Sequence, residues 1–274
     1  MRATALLLAA MLASCTSTVL TEPIVHVSPY LALYQLRGET EMQSAGAQPN
    51  QVVDNAPVPL RTFGQDRGRE DVGMRVDVGD GFGGLRADYY RLDMNTSRSE
   101  ELPPGQNWGD LLAGDFVSMN VEMDELRLGY VEPQIDASVQ WRGEDLRLQL
   151  GLGGVFATRQ MKMRGRESTN TVSQNLELSG DVVYGAVRAR AAWQNLSLDL
   201  DYAVAPEDLV LGGDIEGLSQ DFEAMVSYEL PQRDVRVFAG WRYSEFSAAG
   251  SQGPYRFEND LVIDGLQLGV LVTF

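Results

Sequence analysis

Cysteine, histidine and lysine each occur once in the 274 residues, as Cys15, His26 and Lys162. A lone cysteine excludes a disulfide framework, and with one histidine no zinc-ligand spacing can be assembled. After the first dozen residues no apolar run reaches the eighteen or so needed for a transmembrane helix. Beyond Thr21 no linker rich in Pro, Ser or Gly divides the chain, so a single domain is expected. Cationic side chains are scarce: 22 Lys and Arg stand against 39 Asp and Glu, for a formal net charge of −17. A nucleic-acid partner is therefore not expected, since phosphate recognition needs a basic face. No phosphate-binding glycine loop or nucleophile elbow is present. Asp77-Val78-Gly79-Asp80-Gly81 lacks the remaining ligand positions of a calcium loop. No cofactor or metal is expected.

The chain does contain repeated period-two alternation. It is clearest in the last residues, where Phe274, Val272, Val270, Leu268 and Leu266 share one face and Thr273, Leu271, Gly269, Gln267 and Gly265 the other. An apolar row opposite a small or polar row suits a strand with lipid on one side and a lumen on the other. The same pattern recurs at Val72–Val78, Leu85–Tyr89, Leu146–Leu152, Val183–Trp193, Leu196–Val204, Phe222–Leu230 and Val235–Tyr243. Val27–Gly38 and Asn120–Trp141 complete about ten strands, with eight or twelve as alternatives. In Asn120–Trp141 the apolar parity shifts across Glu132-Pro133, which predicts a bulge there.

The connections support a barrel. Long polar stretches (roughly 40–69, 95–117, 165–174, 206–218 and 248–255) alternate with tight turns at Gly79–Gly84, Gly143-Glu144, Gln194-Asn195 and Pro231–Arg233. Short turns below and longer loops outside are what a barrel with periplasmic termini requires. Trp141, Trp193 and Phe274 lie beside short turns or the terminus, where an interfacial aromatic girdle belongs.

The final strand, ending Leu268-Gly-Val270-Leu-Val272-Thr-Phe274, resembles the terminal strand of Gram-negative outer-membrane β-barrel proteins, the porin-like barrel superfamily. That resemblance implies an outer-membrane location and makes Phe274, Val272, Val270 and Leu268 the mark read by the barrel-assembly machinery. Residues 1–14 read as a secretory signal: Met1-Arg2, then an apolar run too short to span a bilayer. Leu12-Ala13-Ser14-Cys15 resembles a lipobox, which implies lipidation at Cys15; signal cleavage nearby with Cys15 incidental is the alternative. Residues 15–25 then form a tether and 26–274 an all-β, antiparallel, up-and-down barrel.

The face opposite the apolar rows carries Arg75, Asp77, Arg86, Asp88, Arg188, Arg190, Asp199, Asp201, Arg236 and Arg242 as a lumen charge network, with Arg127, Asp136, Arg147, Asp181, Glu223 and Glu229 on the same row. A barrel of ten strands is little wider than its side chains, so these charges must pair with one another or with water. Arg188 and Arg190 should lie opposite Asp201 and Asp199 across the Gln194-Asn195 turn. His26 falls at the periplasmic start of the first strand, where a solvated or capping role fits better than catalysis. The expected function is a non-enzymatic outer-membrane barrel with a structural, adhesive or small-solute role, whose partners are outer-membrane lipid, lipopolysaccharide and the assembly machinery. A lipid-anchored soluble barrel with an apolar ligand cavity and a cell-surface hydrolase are the alternatives. The direction of Leu198, Leu200, Phe222, Val226, Val237 and Leu268 separates the first two readings: outward for a membrane barrel, inward for a ligand cavity.

Overall fold

The computed structural model describes residues 24–43, 56–65, 68–95, 98–169, 171–206, 209–231 and 234–274. The expected signal and Cys15 lie outside them. Ten long strands form the wall: β1 (Ile24–Gln43), β2 (Arg69–Gly79), β3 (Gly84–Asn95), β4 (Phe116–Trp141), β5 (Glu144–Glu167), β6 (Ser173–Trp193), β7 (Leu196–Ala205), β8 (Ile215–Glu229), β9 (Val235–Gln252) and β10 (Tyr255–Thr273). Each is antiparallel to its chain neighbours, and β1 pairs with β10, so the sheet closes into a barrel without a free long edge around the ring. Following paired positions around the ring from Val25 returns to β1 at Arg37, a stagger of twelve residues. For ten strands that stagger corresponds to a tilt of roughly 40°.

The expected register break is present: pairing of β4 with β5 shifts between Pro133 and Ile135. Arg142 and Gln194, at φ 54° and 53°, occupy the left-handed conformation that two-residue hairpin turns demand. Above the turns and belt, however, strand extends into two segments expected as loops. β5 runs on to Glu167, and β9 and β10 continue through 248–252 and from Tyr255, leaving only a turn between them. These strands are 18–24 residues long, about twice what a tilted transmembrane strand needs.

The side chains explain the extra length. Below, Leu198, Leu200, Val226, Val237, Leu266 and Leu268 are exposed on the outer surface, while Arg188 and Asp199 are buried inside. Above, the same alternation reverses in character. Met119, Val121 and Met123 point inward and Glu122 outward; Met161 and Met163 inward and Lys162 outward; Leu176 and Leu178 inward and Glu177 outward. The lower storey is thus apolar outside and charged inside, and the upper storey is built like a water-soluble barrel. The outward apolar row of β10 spans Leu266 to Phe274, about nine residues, close to the 9–11 of a transmembrane strand. An apolar interior therefore exists, but it stands above the lipid belt.

Candidate functional site

The interior of the lower storey is an ion-pair lattice in two tiers. The lower tier joins Arg86 to Asp77 (2.5 Å) and Asp201 (2.9 Å), Arg188 to Asp201 (2.6 Å) and Arg190 to Asp199 (2.6 Å). Arg188 and Arg190 lie directly opposite Asp201 and Asp199 in the β6–β7 register, because the two-residue turn sets each arginine level with its carboxylate. The outer tier centres on Arg242, which has no exposed surface. Its guanidinium reaches Glu125 (2.8 Å), Asp221 (3.0 Å) and Asp88 (3.7 Å) and lies over the Tyr90 ring at 4.6 Å. Around it, Arg75 holds Glu223 (2.8 Å) and Asp88 (3.2 Å), Arg127 holds Asp221 (2.8 Å) and Arg159 donates to Glu125 (2.5 Å). Tyr30 completes the tier, donating its hydroxyl to Asp88 at 2.9 Å.

Three arginines face three carboxylates below, and four face four above. Each tier is neutral, so every charge taken from water is compensated locally. Two voids between these side chains measure about 50 Å³, lined by Arg86, Asp88, Arg127, Asp201, Asp221 and Glu223, and about 20 Å³, beside His26. Such volumes hold a few waters at most.

Both ends are closed as well. At the end with the short turns the β2–β3 turn folds into the lumen: Asp80 Oδ1 accepts the backbone N–H groups of Phe82 and Gly83, and Phe82 is buried. Arg188 donates to the Phe82 carbonyl (2.8 Å), Arg190 to the Gly81 carbonyl (2.5 Å), and the Arg190 guanidinium covers the Phe82 ring. At the outer end, Val58, Leu60, Phe63, Leu102, Trp108 and Leu111 drop from the connecting segments into the upper storey and are wholly buried. Phe63 meets Trp108 edge to face at 5.7 Å, and Trp108 Nε1 donates to Thr40 Oγ1, which donates to Asn259 Oδ1. Methionine dominates the wall around them, at positions 42, 94, 119, 123, 161 and 163, and its flexible thioether fills the irregular space the loops leave.

The expected lumen residues separate into three sets. Arg75, Asp77, Arg86, Asp88, Arg188, Arg190, Asp199, Asp201 and Arg242, with Arg127 and Glu223, are joined in the two tiers. Arg236 pairs with Glu229 (3.0 Å) at the solvated lower rim, and Arg147 donates to Asp136 (2.9 Å) on the protruding end of the β4–β5 hairpin. Asp181 is a correction: it is exposed on the outer wall, where β6 has risen above the lipid belt and water can solvate a carboxylate. Glu125, Arg159 and Asp221 escaped the sequence reading, although Glu125 shares parity with Arg127 and Asp221 with Glu223. His26 is buried rather than solvated, its Nδ1 at 2.9 Å from Thr273 Oγ1 in the seam between first and last strands. Of the terminal-strand residues, Phe274, Val270 and Leu268 are exposed on the outer wall, and Val272 shares their outward parity and is partly exposed. Trp141 and Trp193 meet edge to face, ring centres 4.9 Å apart, at the lower border of the belt, and Phe222, Trp241 and Tyr243 cluster higher on the outside.

No protein-family model matches the chain, and no curated protein matches it. Among solved structures it is similar to the outer membrane protease OmpT of Escherichia coli, at 10% identity over 95% of this chain and 100% of that one, with a TM-score of 0.49. It is also similar to the toluene transporter TodX of Pseudomonas putida (7% identity, 89% of each chain, TM-score 0.30) and to a FadL homologue of Pseudomonas aeruginosa (7% identity, 93% and 90%, TM-score 0.29). Cleavage and transport are properties of those proteins. The closed ring of ten tilted strands, its outward apolar belt and its charged interior define the chain on their own terms, as an antiparallel β-barrel built to stand in lipid.

Proposed function

We propose that this protein is a closed, non-enzymatic outer-membrane barrel whose role is structural or adhesive, carried by its tall extracellular wall and rim. One observation carries the reading: the axis is occupied at every level, by Phe82, by the two neutral charge tiers and by the Trp108–Phe63 cap. Passage of a solute would require breaking several buried ion pairs at once, each costly to separate. A neutral lattice also offers no excess charge of either sign to select an ion. The assembly machinery, engaging Phe274, and an acyl anchor at Cys15 belong to the same proposal.

Reconstitution of the purified full chain into planar bilayers tests it. The expected result is a silent membrane at moderate voltage. Steady, reproducible conductance steps, or swelling of proteoliposomes in small sugars, would replace the closed barrel with a pore.

A further inference from the structure

The barrel wall has a local gap between β1 and β2, at the level where the lipid belt ends. β2 stops pairing with β1 at Tyr34↔Arg69, and the next partner of β1 on that side is the short strand Val58–Pro59, at Glu39 and Thr40. Between them no strand pairs with Gln35, Leu36, Arg37 or Gly38 on that side among the described residues. A pocket of about 470 Å³ opens there, lined by Gln35, Arg37, Gly38, Glu39, Pro59, Arg61 and Gln65.

Its position fixes what it faces. Below it on the outer wall come Leu33 and Leu31; beside it on β10, outward Leu266 gives way to Asp264. The pocket therefore sits at the upper edge of the apolar belt, where lipid headgroups begin. Two guanidiniums serve it. Arg37 is 58% exposed and held by Asp264 at 2.6 Å, which orients it. Arg61 is aimed outward because Leu60, Thr62 and Phe63 of its 3-10 turn are buried, and it has no carboxylate partner among the described residues. Glu39 is the one carboxylate in the lining. Unpaired strand-edge groups and an uncommitted arginine at a membrane boundary suit a phosphate oxygen, which accepts from N–H donors and takes a guanidinium in a fork.

We infer that this notch binds the phosphate-bearing headgroup of an outer-leaflet lipid. The inference rests on the membrane seating of the barrel and is independent of whether the lumen conducts.

The full chain, placed in phosphatidylcholine nanodiscs with lipopolysaccharide, would be washed and the lipopolysaccharide retained per barrel measured. Wild type should retain it, and Arg61→Gln should retain at least fivefold less, with Lys162→Gln as an unaffected control. Wild-type protein offered chemically dephosphorylated lipopolysaccharide should also lose retention, an arm that depends on no variant folding. Equal retention by Arg61→Gln, or equal retention without the phosphates, would overturn the inference. Displacement of the lipid by millimolar inorganic phosphate would overturn the lipid as its source and leave a free-anion site.

Discussion

Replacing Arg242 with methionine should cost more stability than any other single arginine substitution in the barrel. The side chain is wholly buried and faces Glu125, Asp221 and Asp88, so its removal leaves three carboxylates short of a partner in a region without bulk water. Losing one member of a buried ion pair typically costs about 3–5 kcal/mol, because the remaining charge stays desolvated. Loss of the cation–π contact with Tyr90 adds roughly 0.5–2 kcal/mol. At the rim, Arg236 pairs with Glu229 but both are substantially solvated, and Arg236→Met should cost only about 0–1 kcal/mol. The assay is urea unfolding in lipid vesicles, followed by tryptophan fluorescence and by the heat-modifiable shift on a gel. Arg242→Met combined with Glu125→Gln and Asp221→Asn should recover part of the loss, since the neutral amides no longer demand a counter-charge. The lattice argument fails if Arg242→Met and Arg236→Met unfold at the same urea concentration, or if the triple variant is weaker than Arg242→Met alone.

Two further outcomes follow from the two-storey wall. Leu268→Arg, in the lipid belt, should lose about 2–4 kcal/mol in vesicle refolding, whereas the outward upper-storey change Gln160→Arg should cost within about 0.5 kcal/mol; comparable losses at both sites would contradict the assignment. Trp108→Ala should cost about 3–5 kcal/mol of local stability and expose the 98–115 segment to limited proteolysis, with the lower storey retaining its heat-modifiable shift; a cleavage pattern identical to that of the wild type would show that Trp108 does not pin the cap.

The lower storey was legible in the sequence because lipid demands an unbroken outward row. Leu196-Leu198-Leu200-Tyr202 and Val235-Val237-Ala239-Trp241 announce strand, face and depth together, and the short turns between them fix the register. The upper storey keeps the same period of two, but the meaning of its rows is exchanged. Once β5 leaves the lipid, Lys162 and Arg164 can face water while Met161 and Met163 fill the inside, and a search for outward apolar residues sees only a polar stretch. That exchange turned two lengths of strand into apparent loops and put Asp181 on the wrong face. The charge lattice was visible as a row and invisible as a network. Arg188 and Asp201 are neighbours across a two-residue turn, but the contacts of Arg242 with Glu125 and of Arg75 with Glu223 cross the lumen between strands distant in sequence. Only closure of the barrel, set by its stagger of twelve, brings them together. The inward fold of the Gly79–Gly84 turn has no sequence signal beyond Phe82, an aromatic in a hairpin turn.

The exchange of faces along each strand is the central claim, and site-specific spin labels in vesicles test it directly. With Cys15 replaced by serine, single cysteines at Val226, Leu268, Glu122 and Gln160 would carry a nitroxide, and collisions with oxygen and with a water-soluble relaxation agent would be compared. Val226 and Leu268 should be accessible to oxygen and shielded from the aqueous agent, as lipid-facing sites are, while Glu122 and Gln160 should show the reverse. Lipid-like accessibility at Glu122 and Gln160, or aqueous accessibility at Val226 and Leu268, would contradict the two-storey barrel.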